Sequence, residues 1–194
     1  MTRRTCILTC LLGQPVLAQR SRRRKETREE RQARELQELA RRADKLRASP
    51  ETAFLKSRAA ELIERARAEE PRSYRYERIQ DAIDALLDAG EEIEDSTRPE
   101  SDHDDDEQED TARRLERAYF RLQQGDYFVR RANQPDGQSY MQQSRRLYQQ
   151  ARGAYDSRLY DRASRLAEAS SEIVSALEHL AQAAVRVPDP PRLK

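Results

Sequence analysis

Apolar residues recur at steps of three and four over long stretches of this chain. Tyr76, Ile79, Ile83, Leu86, Gly90 and Ile93 follow one another in this way, and so do Leu159, Ala163, Leu166, Ser170, Ile173, Leu177, Leu180 and Ala184. That spacing returns a side chain to the same side of a helix every turn, so each run predicts one amphipathic helix with a narrow apolar seam. A narrow seam must be covered by a neighbour. Breaks at Ser49-Pro50, at Pro71, at 133–137 and at 153–157 predict short turns that fold adjacent helices back antiparallel. Ser49 is placed to cap a helix begun by Pro50 and Glu51, with the acid in the first turn where the helix dipole favours it.

Between Glu91 and Asp110 the pattern changes to a dense acidic run broken by Ser96, Pro99 and Ser101, in which Arg98 is the only basic residue. The expectation is an all-α fold of two antiparallel three-helix units, residues 19–95 and 111–187, joined by an acidic flexible linker over 96–110. One fused six-helix array is the other arrangement compatible with the pattern. A shift of 85 residues pairs Pro50 with Pro135, Leu62 with Leu147, Ala66 with Ala151 and Arg67 with Arg152, and a shift of 84 pairs Tyr76 with Tyr160. Those matches suggest an internal duplication. Pro188, Pro190 and Pro191 end the last helix and predict a loose tail over 188–194.

Composition supports helices. Ala, Glu, Lys, Leu and Arg make up just over half of the 194 residues, β-branched residues are scarce and 38% of the chain is charged. The formal net charge is only +1, so the many arginines are balanced by acids and create no strong overall field for nucleic acid. No apolar run approaches the ~20 residues of a membrane span.

The first residues have the three parts of a secretory signal peptide. Arg3 and Arg4 precede an uncharged stretch containing Ile7, Leu8, Leu11, Leu12, Val16 and Leu17, and Val16 and Ala18 supply small residues at −3 and −1. Residues 1–18 are therefore expected to be removed, with cleavage between Ala18 and Gln19. Both cysteines, Cys6 and Cys10, lie in that segment, so the mature chain is expected to be thiol-free and held together by packing alone. Arg20 to Arg34 is arginine-rich, but Glu26, Glu29 and Glu30 interleave at the spacing of surface ion pairs.

Around Ala151, Tyr155, Tyr160, Ala163, Leu166 and Ala167, small residues and tyrosines alternate across two helices, and residues 151–167 resemble a helical hairpin of the tetratricopeptide type. The resemblance implies hairpin geometry and no binding residue, because the Trp, Gly and closing Pro positions of that family are not matched.

Aromatic residues concentrate in the second half, which holds six of the eight tyrosines. On the helix carrying Leu147, residues Tyr140, Ser144, Tyr148, Ala151 and Tyr155 share its apolar side, while Gln142, Arg145, Gln149 and Arg152 face away. The helix beginning near Ala112 has two apolar sides. Leu115, Ala118, Tyr119, Leu122 and Val129 form one; Phe120 and Tyr127 lie well round from it. That second side is either covered by another helix or forms a partner site, with Phe120 and Tyr127 as anchors and Arg113, Arg117 and Arg131 as its rim. Gly125 is a candidate kink, and Asp126 is expected to pair with Arg130.

For chemistry the chain offers little. His103 lies in the connector, His179 is expected to face solvent, and neither a nucleophile–base pair nor a phosphate-cradling glycine loop is present. Asp102, Asp104, Asp105 and Asp106 supply oxygen ligands for a divalent cation, but without the Gly turn and terminal Glu of a calcium loop. The expectation is a non-enzymatic, cofactor-free scaffold or adaptor of a bacterial cell envelope, periplasmic or exported, binding a protein partner or its own copy. Nucleic acid is not expected as a partner, and contact with the envelope would be peripheral. One alternative is a protein whose acidic linker responds to calcium or magnesium. A second, if the leader stays on, is a cytoplasmic arginine-rich protein associated with nucleic acid.

Overall fold

A computed structural model describes residues 27–99, 105–132 and 137–185, with the side chains of 105, 106, 131 and 132 excluded. Those residues form six helices, α1 (Arg28–Lys45), α2 (Pro50–Arg67), α3 (Tyr74–Asp95), α4 (Asp105–Ala132), α5 (Gly137–Asp156) and α6 (Tyr160–Ala184), and no strand. The protein is all-α. The expected leader with its Ala18–Gln19 cleavage site, and the expected loose tail 188–194, lie outside the described residues.

Local chemistry sets the first three helix starts. The Thr27 hydroxyl accepts from the Glu30 N–H, and the Glu30 carboxylate accepts from the Thr27 N–H at 2.8 Å, so two otherwise unpaired donors are satisfied together. Ser49 and Thr52 make the equivalent exchange ahead of Pro50, as the sequence led one to expect. Ser73 accepts from the Tyr76 N–H at 3.1 Å. Such caps are each worth about 1 kcal/mol.

Two turns between helices share an unusual feature. Among the described residues, Arg72, two residues before α3, and Arg158, two residues before α6, are the non-glycine residues with positive φ, at 63° and 62°. Counted from these arginines, Tyr160 corresponds to Tyr74 rather than to Tyr76. The pairs Leu62 with Leu147 and Ala66 with Ala151 are buried in both halves.

Both seams read from the sequence are buried: every member of the α3 seam, and Ala163 to Leu180 of the α6 seam. The helices bury much more than a seam, however. Ala82, Ala85, Leu87 and Ala89 of α3 and Ala167, Ala169, Val174, Ala176 and Ala181 of α6 are also covered. The reason is position, since α3 and α6 pack most extensively on each other while α2 covers α3 and α4 and α5 cover α6. Alanines on the added sides let the backbones approach closely, which a wider side chain would prevent.

One continuous cluster of buried apolar residues runs from Leu36 in α1 to Ala183 in α6. The two helix triplets are therefore fused across α3 and α6, and Phe54 of α2 also meets Tyr140 of α5 edge to face at 5.6 Å. Each fully buried Leu or Ile contributes about 1.5–3 kcal/mol of transfer free energy to this shared core. Ion pairs trim its edge, among them Arg165 with Glu92 at 3.1 Å and Arg146 with Glu51 at 3.1 Å. Helix α1 packs only slightly on α3 and is tied there by Arg42, which donates to Glu91, Asp84 and Asp88.

The connector is shorter than expected. Residues 105–110 belong to α4, which starts ahead of Ala112, and Ser96 is buried with its hydroxyl donating to the Ile93 carbonyl at 2.7 Å. Acidic residues early in a helix favour the dipole, which is why an acidic run continues as α4 here. Asp102 and Asp104 lie outside the described residues. Asp105 and Asp106 open α4, with side chains that are not described.

His179 is also placed differently. It is half-buried between α6 and α3, with Nδ1 3.8 Å from an Asp81 carboxylate oxygen and without a hydrogen-bond partner. A position that faces away from one seam becomes interfacial when the helix is packed on more than one side.

Candidate partner-binding face

Helix α4 has two unlike sides. Thr111, Leu115, Ala118, Leu122, Gly125 and Val129 are buried, each three or four residues from the last. The opposite side carries Arg113, Arg117, Phe120, Gln124 and Tyr127, all exposed, with Arg131 continuing the same spacing. Phe120 is 57% and Tyr127 52% exposed. Of the two explanations for this side, covering by another helix of the chain is not what the described residues do.

Gly125 does not bend α4. A Cβ there would overlap Sδ and Cε of Met141, a wholly buried side chain of α5, so the glycine allows two helices to approach. Asp126 pairs with Arg145 of α5 at 2.9 and 3.1 Å, and Arg130 donates to the Asp126 carbonyl instead. A single guanidinium nitrogen of Arg145 reaches both Asp126 oxygens from the facing helix. Arg113 holds Glu109 at 2.5 Å and Asp110 at 3.3 Å along its own helix.

Tyr119, expected among the core residues, is 48% exposed and turns toward the outer side. Its ring meets Phe120 at 6.0 Å edge to face and Tyr148 of α5 at 6.2 Å. Tyr148 and Tyr155 pack against the core yet also line, with Tyr119, Leu115 and Arg152, a groove of about 450 Å³ between α4 and α5. A hydrogen bond to Tyr148 raises the pKa of Arg152 at the edge of this groove. Sequence spacing assigned these tyrosines wholly to packing. The clue to their second role was adjacency, because Tyr119 is only about 100° from Phe120 around the helix.

A second, smaller groove of about 310 Å³ lies beside the other anchor, lined by Tyr127 and Phe128 of α4, Tyr74 of α3, and Glu178, Ala181, Gln182 and Val185 at the end of α6. Arg78 sits over the Tyr74 ring at 5.4 Å, and Arg121 over Phe128 at 6.0 Å. Arg121 also pairs with Glu178 at 2.9 Å and donates to the Ser175 hydroxyl at 2.9 Å, which fixes α4 against α6.

Ionisable groups between the triplets are perturbed by burial. Desolvation raises the pKa of Glu172, aided by the nearby charges of Asp88, Glu168 and Glu92, and opposed by Arg121. Burial likewise raises Asp84, with Arg42 working the other way. His179 is lowered, first by burial, against the pull of Asp81. Among the described residues no group of three or more His, Cys, Asp or Glu side chains is arranged to hold a metal ion.

Neither a family model, nor a curated protein, nor a solved structure matches the chain. Among the described residues no helix is long and apolar enough to cross a membrane.

Proposed function

We propose that this chain is an exported helical scaffold or adaptor that works by protein–protein contact through the outer side of α4, without catalysis. The observation that carries the reading is the pair Phe120 and Tyr127, more than half exposed on a helix whose other side is fully used in the core. Large aromatics left in water are costly in apolar exposure, and together with arginine they are the residue types that dominate binding at interface centres. Arg113 and Arg117 flank the anchors at helical spacing, with Arg131 beyond, so an acidic or amphipathic helix of a partner protein, or of a second copy, complements the stripe. Export rests on the leader and on both cysteines falling within it.

The test combines two measurements. A photo-crosslinking residue at Gln124, between the anchors, should trap a discrete partner in the periplasmic or envelope fraction, and Phe120→Ala with Tyr127→Ala should abolish the crosslink while leaving the helical signal intact. Loss of two anchors worth about 2 kcal/mol each weakens binding by well over a hundredfold. Persistence of the same crosslink in the double variant sinks the assignment. Mass spectrometry of the native protein should find a chain beginning at Gln19; a soluble chain retaining Met1 defeats the export part.

A further inference from the structure

We propose that the groove between α4 and α5 is a binding site for a proline-rich, basic segment of a partner protein in the polyproline II conformation. Its walls carry aromatic rings at two places. Tyr119 of α4 and Tyr148 of α5 stand together at 6.2 Å, and Tyr155, further along α5, meets Tyr160 edge to face at 5.5 Å. Tyr148 and Tyr155 are two turns apart on one helix, so they share a side and lie about 10.5 Å from each other along its axis. Polyproline II repeats every three residues, or about 9.3 Å, so prolines one repeat apart meet both rings at once. A β-strand, repeating about every 6.7 Å, falls out of step with them.

The polar groups of the groove select the same occupant. Polyproline II makes no internal hydrogen bonds and prolines carry no N–H, so such a segment needs donors for its carbonyls. This groove supplies them. Arg152, itself exposed, donates to the Tyr148 hydroxyl oxygen, which leaves that hydroxyl's own proton for an outside carbonyl, and Tyr119 and Tyr155 line the groove as well. A helix bonds its own carbonyls and has little use for these donors. Grooves walled by aromatic rings are the general partners of proline-rich segments, whose fixed φ keeps the entropy cost of binding low. Charge specifies the rest. Glu116 and Asp156, both exposed, outnumber Arg152 among the lining residues, so the segment carries a basic residue. Neither Phe120 nor Tyr127 is among these walls, so the site does not depend on the outer stripe of α4.

The experiment titrates the whole protein into a fluorescein-labelled peptide of sequence RPLPPLP and follows the anisotropy. Saturable binding with a micromolar Kd is expected, weakened by about tenfold or more when alanines replace the prolines and again in Tyr155→Ala. Tyr155 also packs against the core, so a charge exchange at an exposed position provides the second variant. Glu116→Arg should weaken the arginine peptide by about tenfold and prefer a peptide with glutamate in that place. Tyr127→Ala, outside the groove, should bind the peptide as the unaltered protein does. Absence of saturable binding at millimolar protein, equal affinity for the alanine peptide, indifference to Glu116→Arg, or loss of binding in Tyr127→Ala would each overturn the proposal. Tyr127→Ala removes an anchor of the stripe while sparing the groove, so the peptide titration and the crosslink at Gln124 can fail independently.

Discussion

A single core spanning both triplets makes an unequal demand on stability, and Leu86→Ala exposes it. Leu86 lies in α3, is wholly buried and belongs to the cluster that continues into α6. On its own helix it is flanked by Ala82, Ala85, Ala89 and Gly90, side chains with no freedom to swing into a void. The cavity left by truncation therefore collapses little, and the cost falls at about 3–5 kcal/mol, the upper part of the range for such substitutions. In a chain of this size about 1 kcal/mol moves the melting temperature by about 2–4 °C, so a drop of at least about 6 °C is expected. The deciding measurement is hydrogen exchange followed peptide by peptide. Because α3 and α6 share one core, protection in the α5 and α6 peptides should fall together with protection in α2 and α3, and near-ultraviolet dichroism, reporting mainly on tyrosines of the second half, should melt at the same lowered temperature as the helices. If α4 to α6 keep their original protection and melt later, the triplets unfold independently and the reasoning from a common core is wrong.

Two further outcomes follow from local geometry. Burial lowers the pKa of His179, so the fold prefers its neutral form; the stability this contributes is complete above about pH 6.5 and is lost as pH falls from there through the lowered folded value. Glu172, whose folded pKa is raised, acts oppositely and gains stability as pH falls through that raised value toward the unfolded carboxylate range, so the two trends partly cancel in the unaltered protein. Chemical denaturation between pH 7.5 and 5 should show unaltered protein losing stability relative to His179→Gln, and a flat difference curve would refute the buried placement. Replacing Arg72 or Arg158 with glycine removes a side chain from positive φ and should stabilise by up to about 1 kcal/mol each, the relief of strain outweighing the entropy of glycine. A melting temperature lowered by either change would show that the arginine contributes more than its backbone costs.

The helical reading was legible because it depends on short-range spacing. Residues three or four apart must share a side of a helix, and Ser49 and Pro50 act on donors within one turn, so α3, α6, the α5 face and the start of α2 appear where the pattern puts them. The outer position of Phe120 and Tyr127 followed from the same rule. The misplacements share one cause. Tyr119, His179 and Asp126 lie at the borders of a helix side, where the neighbouring element decides whether a position is covered, and spacing within one helix carries no information about that neighbour.

What the amino-acid order determined by itself was the set of helices, their caps and their apolar seams, since propensity, capping and periodicity act over a few residues. Only the tertiary structure decided that α3 and α6 meet and fuse two triplets around one core, that Gly125 serves a close approach to Met141, and that aromatic grooves open on either side of the α4 stripe. Those features depend on which helix sides face each other across long sequence separations. Alanine-rich surfaces leave that choice open, because they pack against many partners, until the whole set of helices is assembled and the largest shared burial wins.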